Sequence, residues 1–326
     1  MIGIAQLAYD ESSDDDQVND QAEQLIFQAR RSTGARTIRP LSQTVVEYFN
    51  RIEYLYEHRG EPLGVPTGLI DLDKLLGGLQ ASDLIVVAAR PSMGKTSLLL
   101  NFGLAAAQRF QQRVLVFSLE MSCQQVTERV VAQLSEIDSQ RLRFGQLTDA
   151  DWPRLVQATG QLGDVPLWMD DTPGLSAGQM CAKARRFQAE HGLDLIIVDY
   201  LQLMGTDRRA ENRNQEVAAI SQALKTLARE LNVPVLVASQ LSRAVELRGD
   251  KHPMLSDLRD SGAIEQDSDV ILFIYRDAVY NDACETPNVA ELIVAKHRKG
   301  PTGTVEAYWD KTHTQFKNIA RYEAHA

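Results

Sequence analysis

Leu84-Ile85-Val86-Val87-Ala88-Ala89-Arg90-Pro91-Ser92-Met93-Gly94-Lys95-Thr96 is the stretch on which the fold turns. An apolar, β-branched run ends in a small-residue turn and passes straight into an apolar helix, Ser97 to Ala107. That is the strand, loop and helix context of a phosphate-binding loop. Ala89 to Thr96 carries the pattern, with Ala89 standing where its first glycine usually does. Consecutive backbone N–H groups of such a turn, at Ser92, Met93 and Gly94, form an anion nest reinforced by the positive end of the helix behind them. Lys95 is then placed to reach the β- and γ-phosphates of ATP, and the Thr96 hydroxyl to bind Mg²⁺. A chance glycine-lysine turn accounts for the same letters but not for the strand before and the helix after.

From about Gly64 onward, short β-branched runs alternate with longer helical stretches, which predicts an α/β fold on a mostly parallel, twisted sheet. Leu84–Ala88, Val114–Leu119, Leu195–Val198, Val235–Ala238 and Val270–Ile274 are the expected core strands. Ala290–Ala295 and Thr304–Trp309 flank Gly300-Pro301-Thr302-Gly303 and read as a closing β-hairpin. The segment after Asn318 is expected to fray. Ahead of the sheet, Gln17 to Arg30 and Ser42 to His58 read as amphipathic helices joined by the polar stretch Ser32 to Pro40. Val45, Phe49, Ile52 and Tyr56 mark the stripe of the second. Two such helices cannot bury both stripes alone, so they pack on the main domain or on another subunit.

In a parallel α/β sheet, ligands bind at the carboxyl ends of the strands. Asp199 ends the apolar run Leu195 to Val198, where it holds Mg²⁺ through water if the phosphate loop lies in the same sheet; a lone Asp after a strand otherwise reads as a helix cap. Glu120 follows Val114 to Leu119 and is the candidate general base for hydrolysis, or else a surface acid that opens a helix. Gln240 follows Val235 to Ser239, either as a neutral sensor of the γ-phosphate or as a strand-end hydrogen bonder. The three cysteines, Cys123, Cys181 and Cys284, are odd in number with no CxxC, so neither a disulfide framework nor a zinc site is expected and all three read as small buried apolar residues.

Of the 326 residues, 44% are apolar and 24% charged, an ordinary globular balance. The net charge of −10 is the wrong sign for a holder of polyanions. Distribution matters more, because affinity for nucleic acid comes from local Lys and Arg that displace counterions. Seven acids lie within residues 1–30 (Asp10, Glu11, Asp14, Asp15, Asp16, Asp20 and Glu23) against Arg30 alone, outside the chemistry-bearing region. No apolar run is long enough for a membrane span, and Met1 to Tyr9 lacks the basic flank of a secretory signal. A cytoplasmic location is expected.

Taken together, Thr67 to Asp73, Ala89 to Thr96, Phe117 to Ser122, Val198 to Met204, Ser239 to Arg243 and Leu255 to Asp269 resemble the motor domain of DnaB-type replicative helicases. The resemblance runs over about residues 62–320, with residues 1–60 similar to that family's linker region and its docking helix. It implies a RecA-like P-loop NTPase at 61–326, working as a homohexameric ring that hydrolyses ATP between subunits and moves 5′ to 3′ on single-stranded DNA. It further implies a helicase loader as partner. Lys296 and Arg298 match basic residues that complete a neighbour's nucleotide site, although composition alone reads them as a solvated turn. Arg259, Asp260 and Gly262 match a channel loop that touches DNA phosphates, with Asp260 where the family usually has Glu. Gly205 to Arg213 is either a second channel loop or a solvated one. No counterpart of the family's helical N-terminal collar precedes Met1, which implies a truncated form that has lost primase stimulation and relies on the linker helix to hold the ring. Competing expectations are a recombinase or switch ATPase sharing Lys95, Asp199 and Glu120, and a relic that binds ATP without turnover.

Overall fold

The computed structural model describes residues 40–57, 63–205, 213–281 and 283–319. The chain divides into two compact units, Met1–Glu61 and Pro62–Ala326. In the first, α1 (Leu41–Glu57) falls within one residue of the helix expected there, and Val45, Phe49, Ile52 and Tyr56 share one face by their spacing. The expected helix Gln17 to Arg30, most of the Ser32 to Pro40 connector, residues 206–212 of the arginine-bearing loop and the tail from 320 onward lie outside the described residues.

The second unit opens with α2 (Ile70–Leu76). The carboxylate of Asp73 accepts from the backbone N–H groups of Thr67 and Gly68 at 2.8 and 3.2 Å. Asn318 clamps the same turn from the far end of the chain, accepting from Ile70 N–H at 2.8 Å and donating to the Gly68 carbonyl at 3.0 Å. The Thr67 to Asp73 motif is therefore a structural latch.

Strand β1 (Leu84–Ala89) leads into α3 (Lys95–Phe110), and β2 (Val114–Ser118) into α4 (Cys123–Ser135), α5 (Ser139–Arg143) and α6 (Asp151–Leu162). Then come β3 (Leu167–Asp170), α7 (Ala177–His191), β4 (Leu195–Asp199), α8 (Arg213–Leu231) and β5 (Val235–Gln240). After α9 (Gly262–Asp267), the strands β6 (Val270–Tyr275), β7 (Val289–His297), β8 (Gly303–Asp310) and β9 (Gln315–Lys317) close the chain. Among the described residues nine strands form one sheet in the order β3-β2-β4-β5-β1-β6-β7-β8-β9. It is parallel from β3 to β6 and antiparallel from β6 to β9.

All six residues of β1 are buried, as expected of a strand covered on both faces. Its alternate side chains feed two cores: Ile85, Val87 and Ala89 pack with Leu98, Phe102 and Leu292, while Leu84, Val86 and Ala88 pack with Ile220, Leu224 and Phe273. Burying one Val, Leu or Ile side chain fully is worth about 1.5–3 kcal/mol, so this double coverage fixes the position of the loop that follows Ala89.

The five expected core strands and the closing hairpin are all present, each within a residue or two of its expected ends. Two further strands were not anticipated. β3 is four residues with Trp168 exposed at the sheet edge, and β9 is three residues, both too short for a two-residue period to register. The segment expected as a loop around Arg259 is instead a 3₁₀ turn (Leu255–Ser261) running into α9. Its start is fixed by the buried Asp257 carboxylate, which accepts from Met254 N–H at 2.7 Å. Of the cysteines, Cys181 is buried in the second core as expected, but Cys123 and Cys284 are only half-buried. Among the described residues no helix is long and apolar enough to cross a membrane.

Candidate active site

The parallel strands deliver their carboxyl ends to one edge of the sheet. Ala89 pairs in register with Gln240, and Ser118 with Asp199. Leu119 N–H donates to the Asp199 carbonyl at 2.7 Å, drawing the start of the Glu120 turn against β4. A cleft of about 450 Å³ opens along this edge, lined by Ser92, Gly94, Lys95, Thr96, Glu120, Arg129, Tyr200 and Gln240. That volume suits a nucleotide-sized ligand.

The loop between β1 and α3 has the conformation an anion cradle needs. Gly94 holds φ at +103°, and a Cβ there would press on Phe316 and Trp309 at 3.0–3.1 Å, so the position demands glycine on two counts. Ser92 also adopts a positive φ of 67°. Met93 contributes only its backbone, because its side chain is buried in the first core. Lys95 Nζ donates to the Ala89 and Arg90 carbonyls at 3.0 and 3.4 Å. Burial lowers its pKa from 10.5 to about 8, against the pull of the Asp199 and Glu120 charges.

Asp199 lies beneath the cleft, 4% exposed, and neither carboxylate oxygen has a hydrogen-bond partner. Burial pushes its pKa up; the Thr96 hydroxyl, close by but outside hydrogen-bonding geometry, pulls it down, the Glu120 charge adds to the rise, and Lys95 and Arg129 oppose it. A buried, unpartnered carboxylate is costly unless something binds it. One carboxylate and one hydroxyl suit Mg²⁺, which takes one or two protein oxygens and completes its shell with water and phosphate. Among the described residues no group of three or more His, Cys, Asp or Glu is arranged to hold a metal unaided.

Glu120 is exposed at the cleft. The cap of α4 is Ser122, whose side chain accepts from Gln125 N–H at 3.3 Å while Gln125 accepts from Ser122 N–H at 3.0 Å. Glu120 stands two residues before that cap and plays no part in it. The backbone of Gln240 is held by Gln202, which accepts from Gln240 N–H at 3.3 Å and donates to Ser239 Oγ at 2.9 Å.

Four residues at this edge were missed from the sequence. Arg276 follows the fully buried β6, donates to the Ser92 carbonyl at 3.2 Å and lies 4.5 Å from the Trp309 ring. The rule that found Asp199, Glu120 and Gln240, a polar residue directly after a buried strand, also singles out Arg276. Trp309, Arg129 and Tyr200 line the cleft without any such signal.

Lys296 and Arg298 do not join this cleft. Lys296 pairs with Ile271, which pairs with Val86, three residues and so about 10 Å below Ala89 along the strand direction. At that opposite end Lys296 Nζ donates to the carbonyls of Glu265 and Ser268, the latter at 2.8 Å, and Arg298 donates to the Gln266 carbonyl. Both cations thus hold the carboxyl end of α9, whose first residue is the exposed Gly262. The side chains of Arg259 and Asp260 lie outside the described residues.

Residues 64–318 match the DnaB-like helicase C terminal domain. The chain belongs to this family. The replicative DNA helicase DnaB of Geobacillus stearothermophilus is 44% identical over 319 residues, which cover 98% of this chain and 70% of that protein. The replicative DNA helicase DnaC of Bacillus subtilis is 42% identical over the same shares of each chain. Among solved structures, the ATPase domain of G40P superposes with a TM-score of 0.83 at 35% identity, covering 87% of this chain and all of that one. A DnaB-like replicative helicase described with its primase interactions gives 0.80 at 33% identity, covering 94% of this chain and 78% of that one. As a DnaB-like replicative helicase the chain is an ATP-hydrolysing enzyme on a RecA-like α/β fold.

Proposed function

We propose that residues 61–326 are the motor of a replicative helicase ring, with residues 1–60 as its linker region and docking helix. Six copies encircle single-stranded DNA, move 5′ to 3′ along it and open the duplex at the fork, with a loader placing the ring in the bacterial cytoplasm. The backbone of Ser92, Met93 and Gly94 cradles the triphosphate, and Lys95 leaves the Ala89 and Arg90 carbonyls for the phosphates. Thr96 and Asp199 would hold Mg²⁺, which when bound would supply charge neutralisation on the phosphate oxygens. Glu120 accepts a proton from the attacking water as its oxygen bonds to the γ-phosphorus and the bond to the bridging oxygen breaks, releasing ADP and phosphate. Gln240 senses the γ-phosphate from the end of β5. Lys296 and Arg298 of a neighbouring copy stabilise the charge spreading over the transferring oxygens. Arg259, Asp260 and Gly262 contact the DNA backbone, which suits a motor indifferent to base sequence.

The observation that carries this reading is the partition of the charged groups. Lys95, Thr96, Glu120, Asp199 and Gln240 converge at one end of the sheet, whereas Lys296 and Arg298 stand at the other, beyond reach of their own cleft. A mixing experiment tests it. Arg298→Ala and Lys95→Ala should each be inactive as ATPases, and mixtures of the two should recover turnover because some interfaces pair an intact cleft with an intact Arg298. Mixtures that stay inactive at every ratio, with both variants folded, would remove the shared site.

A further inference from the structure

Between the phosphate loop and the proposed DNA-contacting segment runs a second cleft, of about 420 Å³, lined by Arg90, Gln202, Arg213, Gln240, Arg243 and Asp257 among others. Gln240 lines both clefts. Arg90 lines only the second one, so this arginine of the phosphate loop faces away from the nucleotide. Its side chain is 8% exposed; Nη1 donates to the Leu241 carbonyl at 2.7 Å and Nε to Glu246 Oε1 at 2.9 Å. Charge-assisted hydrogen bonds of this kind are stronger and more directional than neutral ones, so the loop cannot shift without carrying the Leu241 to Glu246 segment with it.

That segment is in turn joined to the DNA-contacting one. Leu241 N–H donates to the Ala89 carbonyl at 3.2 Å, the same oxygen that Lys95 holds, and Ser242 N–H donates to the Asp257 carbonyl at 3.1 Å. Arg248 grips both oxygens of the Asp257 carboxylate at 2.9 Å, and that carboxylate fixes the start of the 3₁₀ turn that carries Arg259 to Ser261. Two ion pairs with buried members therefore bracket the path: Arg90–Glu246 at the nucleotide end and Arg248–Asp257 at the other.

We infer that Glu246 is a positioning residue that couples nucleotide occupancy to DNA contact, by tying the back of the phosphate loop through Arg90 to the segment that ends in Gly262. The inference rests on the proposed helicase reading. When a triphosphate draws Lys95 off Ala89 and Arg90, those carbonyls lose a donor, and the Arg90 guanidinium transmits the resulting shift to Glu246. Glu246 is about half exposed and lines neither cleft.

The test is Glu246→Ala in the full chain, read three ways: ATP turnover without DNA, turnover with saturating oligo(dT), and oligo(dT) affinity by anisotropy with and without a non-hydrolysable ATP analogue. The parent should show stimulation by DNA and a nucleotide-dependent affinity. The variant should keep its DNA-free turnover within about twofold while the stimulation and the affinity shift both fall at least fivefold, the low end of the roughly 5–150-fold range of linkage between sites. Glu246→Gln, which keeps an oxygen facing Arg90 without the charge, should fall between parent and Glu246→Ala. A merely structural role would lower DNA-free turnover and DNA-stimulated turnover together. Stimulation and affinity shift equal to the parent's in Glu246→Ala would overturn the coupling while leaving the helicase reading intact. A parent that neither hydrolyses ATP nor binds oligo(dT) would overturn both.

Discussion

Raising the pH should loosen the grip of this protein on ATP at a point set by its own fold. Burial brings the Lys95 amine from 10.5 down to about 8. If the triphosphate binds the ammonium form, then most of the amine is competent at pH 7 and about a tenth at pH 9, so affinity should weaken about tenfold across that interval. The stability of the nucleotide-free protein should move the other way. Between about 8 and 10.5 an unfolded lysine holds a proton that the folded one has released, so unfolding becomes less favourable as pH rises through that window. The opposite signs separate this effect from general alkaline damage, which would weaken both. Titrating a fluorescent ATP analogue from pH 7 to pH 9.5 at constant ionic strength, with Lys95→Ala as control, measures it. The variant should be weak and flat, since the titration of the nucleotide itself is common to both proteins. A parent as flat as the variant would refute the placement of that ammonium against the phosphates.

Two further outcomes follow from the same cleft. Glu120→Gln should bind ATP almost as the parent does while its turnover falls about 10²–10⁴-fold, measured by calorimetry beside a phosphate-release assay. Turnover at the parent rate would move the base elsewhere. Asp199→Asn should raise the Mg²⁺ concentration needed for half-maximal turnover while leaving metal-free nucleotide binding close to that of the parent. An unchanged Mg²⁺ requirement would mean that the buried carboxylate holds something other than the cation.

The sequence disclosed what rests on local pattern. β1, β2, β4, β5 and β6 are short apolar runs covered on both faces, so each is a continuous signal bounded by polar residues, and the residue just after each is where ligands gather. That logic reached Glu120, Asp199 and Gln240 from spacing alone. It did not reach Trp309, Arg129 or Tyr200, which enter the cleft from β8, α4 and the turn after β4 through packing that joins distant parts of the chain. Nor did it foresee the 3₁₀ turn before Gly262, which depends on Asp257 meeting Met254 and Arg248 at once. Lys296 and Arg298 were singled out only by resemblance, because two cations in a hairpin look like any solvated turn; the sheet register puts them at the end away from the Lys95 cleft.

The separation of the Lys95 cleft from Lys296 and Arg298 along the sheet also bears on how copies would join in the proposed ring. If Lys296 and Arg298 serve a neighbour as proposed, through a head-to-tail contact, each copy offers one end of its sheet to the next. An open run of n such copies has n − 1 finished clefts and one idle at its end, whereas closure finishes all n. Turnover per chain should therefore climb with assembly size and reach its ceiling only when the last gap shuts.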